Sequence, residues 1–137
     1  MATFKNDYAF GIKSEKDLHE KLENHFETKL VRRGGYASFD FDNTTNLYLE
    51  LKTRRICHNN YPTALVSASK IKVASENPQN TYWICYGFVD GIYGIKYDKE
   101  LFDTFEIGDY TRGNRTDFKN VVQTICFIPT EHLIRLF

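Results

Sequence analysis

Several things are scarce in this 137-residue chain, and each scarcity removes a class of protein. Cysteine occurs three times, as Cys57, Cys85 and Cys126, widely spaced and with no CxxC pair. An odd, scattered set excludes a zinc ribbon or a disulfide framework, and a reducing, intracellular compartment is expected, in the cytoplasm or nucleus of a cell or host. Cys85 and Cys126 sit in apolar runs and read as small buried hydrophobes. No apolar run approaches the roughly 18 residues of a membrane span, so no membrane partner is expected. The first residues carry no apolar leader, and secretion is not expected. An excess of one charge is also missing: 18 Lys and Arg balance 18 Asp and Glu. That counts against a protein held on nucleic acid mainly by charge. It leaves room for local basic surfaces, around Lys52, Arg54, Arg55 and His58 and around Arg112, Arg115 and Lys119.

What is present is globular: 42% hydrophobic and 26% charged residues. The length suits one domain over residues 1–137, and no repeat, linker or low-complexity segment interrupts it. Ser14 and Asp17 fit a capping box, and Leu18, Leu22 and Phe26 follow at helical spacing, so a helix is expected over residues 14–26. Residues 28–32, 36–42 and 47–53 read as a three-stranded meander, with a tight turn at Gly34-Gly35. A loop over 54–62 leads to a second helix over 63–75, with Leu65, Ile71 and Ala74 on its apolar side and Asn77-Pro78 as its stop. Residues 81–89 form an apolar, aromatic strand expected at the sheet centre, where Tyr82, Trp83, Tyr86 and Phe88 read as core in preference to base-stacking surface. A hairpin at Asp90-Gly91 returns through 92–97, residues 106–118 read as loop, 121–128 as strand, and Thr130 as the N-cap of a short C-terminal helix. The class is α/β (α+β), around one mixed sheet.

The stretch from Phe39 to Lys52 carries the chemistry. Phe39, Phe41, Leu47, Leu49 and Leu51 share one parity; Asp40, Asp42, Tyr48, Glu50 and Lys52 share the other. If the turn pairs Asn43 with Leu47, Asp40 falls directly across from Glu50, and Asp42 sits nearer the turn, diagonal to it. Two acids beside a lysine on adjacent strands outline a site for a metal and a water. The plainer reading is a solvated strand face with cross-strand ion pairs. Two other acid-x-Lys triplets, Glu27-Thr28-Lys29 and Asp117-Phe118-Lys119, lack an acidic hairpin strand before them. His58-Asn59-Asn60 hints at a metal, but the histidine has no partner at ligand spacing and reads as a loop residue.

The order helix, meander, helix, strand, with Asp40 followed after nine residues by Glu50-Leu51-Lys52, resembles the PD-(D/E)xK nuclease superfamily over residues 14–90. That superfamily includes restriction endonucleases, phage exonucleases and archaeal Holliday junction resolvases. The stretches 50–55, 61–63 and 69–71 look similar to small phage and giant-virus members, and the frequent Asn, Lys, Tyr, Phe and Ile fit an AT-rich phage or viral genome. Phe39 stands where the motif's proline often stands, a departure many members share. The resemblance implies a restriction-endonuclease-like core with a β-rich C-terminal extension. Asp40 and Glu50 would hold Mg²⁺ or Mn²⁺, with Asp42 as the alternative ligand, and Lys52 would orient or activate the water. Glu15, in a Glu-x-x-Leu pattern like that of the resolvases, would add a first-helix acid, with Glu20 and Glu23 as rivals and a plain helix-dipole role as the alternative. Arg54, Arg55 and Lys70 would contact DNA phosphates, or serve only as solvated charges. The activity implied is a metal-dependent deoxyribonuclease, structure-selective or nicking, acting as a homodimer where both strands are cut. The alternatives are a non-catalytic nucleic-acid- or protein-binding module that keeps this fold, and an interaction domain whose acidic hairpin is only a solvated face.

Overall fold

Leu18 and Leu22, one turn apart and both essentially inaccessible, fix the first helix, α1 (Glu15–Phe26), against a sheet. The computed structural model describes residues 15–112 and 121–137. Ser14 and the 117–119 triplet lie outside these, as does the side chain of Glu15. Glu27 adopts a positive φ of 57° and closes α1, and the Glu23 carboxylate accepts from Leu30 N–H at 2.8 Å. Two short strands follow, β1 (Val31–Arg32) and β2 (Phe41–Asp42), then the long β3 (Leu47–Thr53). The meander exists, but its first two strands are only two residues each. Gly35 turns the chain at φ 61°, and Arg33 N–H donates to the Asp40 carbonyl at 2.6 Å, so residues 33–40 form a loop closed by that bond.

A larger difference follows the 54–62 loop. Residues 63–75 are not one helix: β4 (Thr63–Ser67) precedes α2 (Ala68–Glu76). Ala64 and Val66 point inward while their neighbours are half-buried, a period of two. Ser67 then caps α2, its Oγ accepting from Ser69 N–H at 3.2 Å. Ile71 and Ala74 keep the helical role expected of them. Next come β5 (Thr81–Phe88), β6 (Gly91–Lys96) and a one-turn helix α3 (Lys99–Phe102). The expected 106–118 loop holds an edge strand, β7 (Glu106–Arg112), paired along its length with β8 (Val121–Pro129). Its polar residues suit an edge, where backbone pairing on one side suffices. No C-terminal α-helix forms. Pro129 precedes a 3-10 turn, the Thr130 hydroxyl donates to the Tyr61 carbonyl at 3.2 Å, and β9 (Ile134–Arg135) pairs with β6.

Among the described residues the sheets are two. Six strands run β1-β2-β3-β5-β6-β9, and three run β4-β8-β7. Only β3 and β5 are paired in parallel among the described residues. That pairing needs a crossover, which β4 and α2 supply. One face of the large sheet packs Leu47, Leu49, Cys85 and Ile92 under α1. The other packs Tyr82, Ile84, Tyr86 and Phe88 against α2 and the small sheet, through Ala74, Val66, Cys126 and Ile128. The aromatic strand is core, as its composition indicates. The class is mixed α/β, and no helix among the described residues is long and apolar enough to cross a membrane.

Candidate active site

The β2–β3 turn sets everything that follows. Asn43 Oδ1 accepts from the amides of Thr45, Asn46 and Leu47 at 3.0, 2.9 and 2.9 Å, while Thr44 takes a positive φ of 64°. Asn43 N–H donates to the Leu47 carbonyl at 3.0 Å, and the register runs Asp42 to Tyr48 and Phe41 to Leu49. The ladder stops at the Phe41–Leu49 pair, one residue short of Asp40 and Glu50. Continued pairing would then give the Leu51 amide to the carbonyl of Phe39. Asp40 replaces it, its carboxylate Oδ2 accepting from Leu51 N–H at 2.8 Å. The backbone departs from strand geometry here, so the parity expected for Phe39 fails. Its ring packs on the α2 side, 5.0 Å from that of Tyr82, whereas Phe41 packs on the α1 side.

Glu50 is 7% exposed, on the α2 side of β3. Its Oε2 lies 3.9 Å from Lys52 Nζ and its Oε1 lies 3.5 Å from Lys70 Nζ. The second contact has the distance of an ion pair without a hydrogen bond's geometry. Among the described residues, Glu50 Oε1 is the one buried side-chain polar atom with no hydrogen-bond partner. Burial, then the charge of Asp40, pushes the Glu50 carboxyl above its ordinary range, against the pull of Lys70 and Lys52. Burial also pulls the Lys52 ammonium below its ordinary range, although Glu50 opposes this. Lys70 comes from α2, donates to the Ser38 carbonyl and stands 5.4 Å from the centroid of the Phe39 ring. It is thus neither a freely solvated helix lysine nor remote from the carboxylates.

Asp42, the alternative to Asp40, is committed elsewhere. Arg33 Nε and Nη2 grip its two oxygens at 2.7 and 3.0 Å, and Thr44 N–H adds a third bond at 2.9 Å. The Arg33 hydrogen bonds, despite burial, hold this carboxyl below its usual range. Glu23 is likewise occupied, by Leu30 N–H and His19, and Glu20 is exposed. Lys16, next to Glu15, lines a cleft of about 410 Å³ with His19, Arg32, Asp40 and Leu51. Arg54 and Arg55 are exposed just past β3, with Arg54 NH1 donating to the Thr53 carbonyl at 3.0 Å.

A partner that sequence reading missed belongs to His58. Asp90, 32 residues away, takes its Nδ1 at 2.5 Å and its backbone N–H at 2.9 Å, and Tyr93 stacks on the ring at 4.3 Å. No local spacing signals this pair, because the β5–β6 turn brings Asp90 to the loop after β3. No group of three or more His, Cys, Asp or Glu fit to hold a metal occurs among the described residues. What they offer is the carboxylate pair Asp40 and Glu50. A hard cation that keeps several waters needs only one or two carboxylates from the protein, and the buried Glu50 oxygen that has no hydrogen bond fits that need. In comparisons with known proteins, no family model, no curated protein and no solved structure matches this chain.

Proposed function

We propose that this protein is a metal-dependent nuclease of the PD-(D/E)xK type that hydrolyses phosphodiester bonds in DNA. One observation supports the reading: the buried Oε1 of Glu50 lacks a hydrogen bond, two lysines flank the carboxylate, and Asp40, bonded to the Leu51 amide, is near enough for its charge to bear on Glu50. Lys70 and Lys52 offset only part of the cost of burying this carboxylate, since its pKa stays raised, and a cost remains. A cation recovers it.

Asp40 and Glu50 would hold Mg²⁺ or Mn²⁺, and Asp42 would not, because Arg33 and Thr44 use its oxygens. When bound, the metal supplies charge neutralisation and Lewis-acid polarisation of the phosphate. Lys52 orients the attacking water. As the water oxygen bonds to phosphorus the ester P–O bond breaks, and the proton the water gives up ends on the leaving oxygen; burial shifts Lys52 toward its neutral form while Glu50 opposes the shift. Lys70 opposes the build-up of negative charge from the α2 side. Arg54 and Arg55 continue the line of β3 as contacts to the DNA backbone, and Glu15 supplies a first-helix acid. The sheet order with one parallel pair, β3 and β5, supports a restriction-endonuclease-like core, with β6 to β9 as the extension. The near-neutral charge suits the alternative reading, a non-catalytic binding module, better than a nuclease held on duplex by charge. Cutting both strands requires a second copy or a second binding event, and Ile134, 55% exposed on the edge strand β9, is a candidate contact for a second copy.

The test is incubation with supercoiled, branched and single-stranded DNA, and with RNA, with and without Mg²⁺. Metal-dependent cleavage lost in Glu50→Ala supports the reading. Absence of cleavage of every form favours a binding module.

A further inference from the structure

Glu50 and Lys52 alternate inward on β3, and the row does not stop where β3 ends. Arg54 N–H donates to the Gly87 carbonyl at 2.9 Å, so pairing with β5 continues and Arg54 falls on the same face, about 7 Å beyond Lys52. The adjacent row on β5 is Ile84, Tyr86 and Phe88, with Tyr86 paired to Lys52. Where the two rows leave the sheet, a cleft of about 440 Å³ opens, within the size range of small-molecule sites.

Its lining is mostly apolar and aromatic: Ile56, Tyr61, Leu65, Tyr86 and Phe88. Two features are unusual for a mere packing defect. Tyr61 is 59% exposed, a large ring presented to solvent at the cleft wall. His58, which also lines the cleft, is fixed by Asp90 through Nδ1 and backed by the Tyr93 ring, leaving Nε2 as its uncommitted polar atom. Arg54 is the cation of the lining, next in the row after Lys52.

We infer that this cleft receives an unpaired nucleobase of the substrate strand, next to the bond that is cut. The base stacks on Tyr61, a hydrogen bond from its edge reaches His58, and Arg54 takes the phosphate between the base and the Asp40–Glu50 site. Stacking on an aromatic face tolerates any base, which gives a preference for strand form over sequence. The substrate class is thereby narrowed to strands with a bulge, a branch or a single-stranded run beside the scissile phosphate. This inference rests on the nuclease reading for the location of the cut, though not for the capture of the base.

The experiment uses the full chain in EDTA, so that no strand is cut. 2-Aminopurine is placed at successive positions of single-stranded and bulged oligonucleotides, and its fluorescence and the affinity are read on addition of wild type, Tyr61→Phe and Tyr61→Ala. Fluorescence should change strongly at the unpaired position with wild type and Tyr61→Phe. In Tyr61→Ala that change should vanish, and the preference for bulged over paired duplex should fall by about 5- to 100-fold, the range for loss of one stacked base. Tyr61 is exposed, so both variants should fold. A uniform response at every position, no response, or a preference kept in Tyr61→Ala overturns the inference. Metal-dependent cleavage without base capture leaves the nuclease reading standing, and base capture without cleavage does the reverse.

Discussion

Asp40 accepts the backbone amide of Leu51 at 2.8 Å, one residue past Glu50 on β3. One side chain therefore serves both the fold and the proposed site. Asp40→Ala leaves a strand amide without its acceptor, which should cost about 1–3 kcal/mol in denaturant unfolding. Asp40→Asn keeps an acceptor oxygen and should cost less than 1 kcal/mol by the same assay, while still losing the charge a cation needs.

Asp42 should show the opposite balance. Its pKa is lowered chiefly by the Arg33 hydrogen bonds, so its contribution to stability is present above the unfolded aspartate value of about 3.9 and is lost as pH falls through the folded value. Asp42→Asn should destabilise by about 1–2 kcal/mol at pH 7, a figure reduced because Arg33 is 41% exposed. The difference from wild type should shrink in acid. Urea melts at pH 7 and pH 3 measure it.

Glu50 carries the reverse sign. Its folded pKa is raised, so its stabilising effect is present below the unfolded glutamate value of about 4.3 and disappears as pH rises through the folded value. Without metal at neutral pH, Glu50→Gln should therefore be more stable than wild type, by about 0.5–2 kcal/mol, as expected where a charge is kept for function. Adding Mg²⁺ should raise the melting temperature of wild type and leave that of Glu50→Gln unchanged. A Glu50→Gln protein that melts lower than wild type at pH 7 without metal would count against this account.

Lys70 pulls Glu50 toward its charged form from 3.5 Å. Lys70→Met removes that pull, so the acidic limb of the cleavage–pH profile should move to higher pH. The rate at pH 6 should drop several-fold more than the rate at pH 8. A uniform drop across pH would mean that Lys70 acts on substrate and not on Glu50.

The site hairpin was legible because its signals are local. Asn43 and the four-residue spacing to Leu47 fix the register, which pairs Asp42 with Tyr48 and Phe41 with Leu49. That Asp42 is engaged by Arg33, which follows β1 and reaches Asp42 on β2, is marked by nothing in the motif. The helix expected over 63–75 failed at its first turn, because Thr63 to Val66 alternate with a period of two and Ser67 is a helix cap inside the apolar run. The 106–112 segment was hidden by its polarity, since an edge strand needs a neighbour's backbone more than an apolar face. The His58–Asp90 pair depends on tertiary contact between two turns, which no spacing encodes.

The most direct measurement is single-turnover cleavage of a branched DNA in Mg²⁺ by wild type, Asp40→Asn, Asp42→Asn and Lys52→Ala, each at a temperature where it is folded. The proposed site predicts rates at least about 100-fold lower for Asp40→Asn and Lys52→Ala, the scale of losing a general acid–base or charge-stabilising group. Asp42→Asn should stay within a few-fold of wild type. Cleavage that survives in Asp40→Asn and Lys52→Ala, or that is lost only in Asp42→Asn, contradicts it.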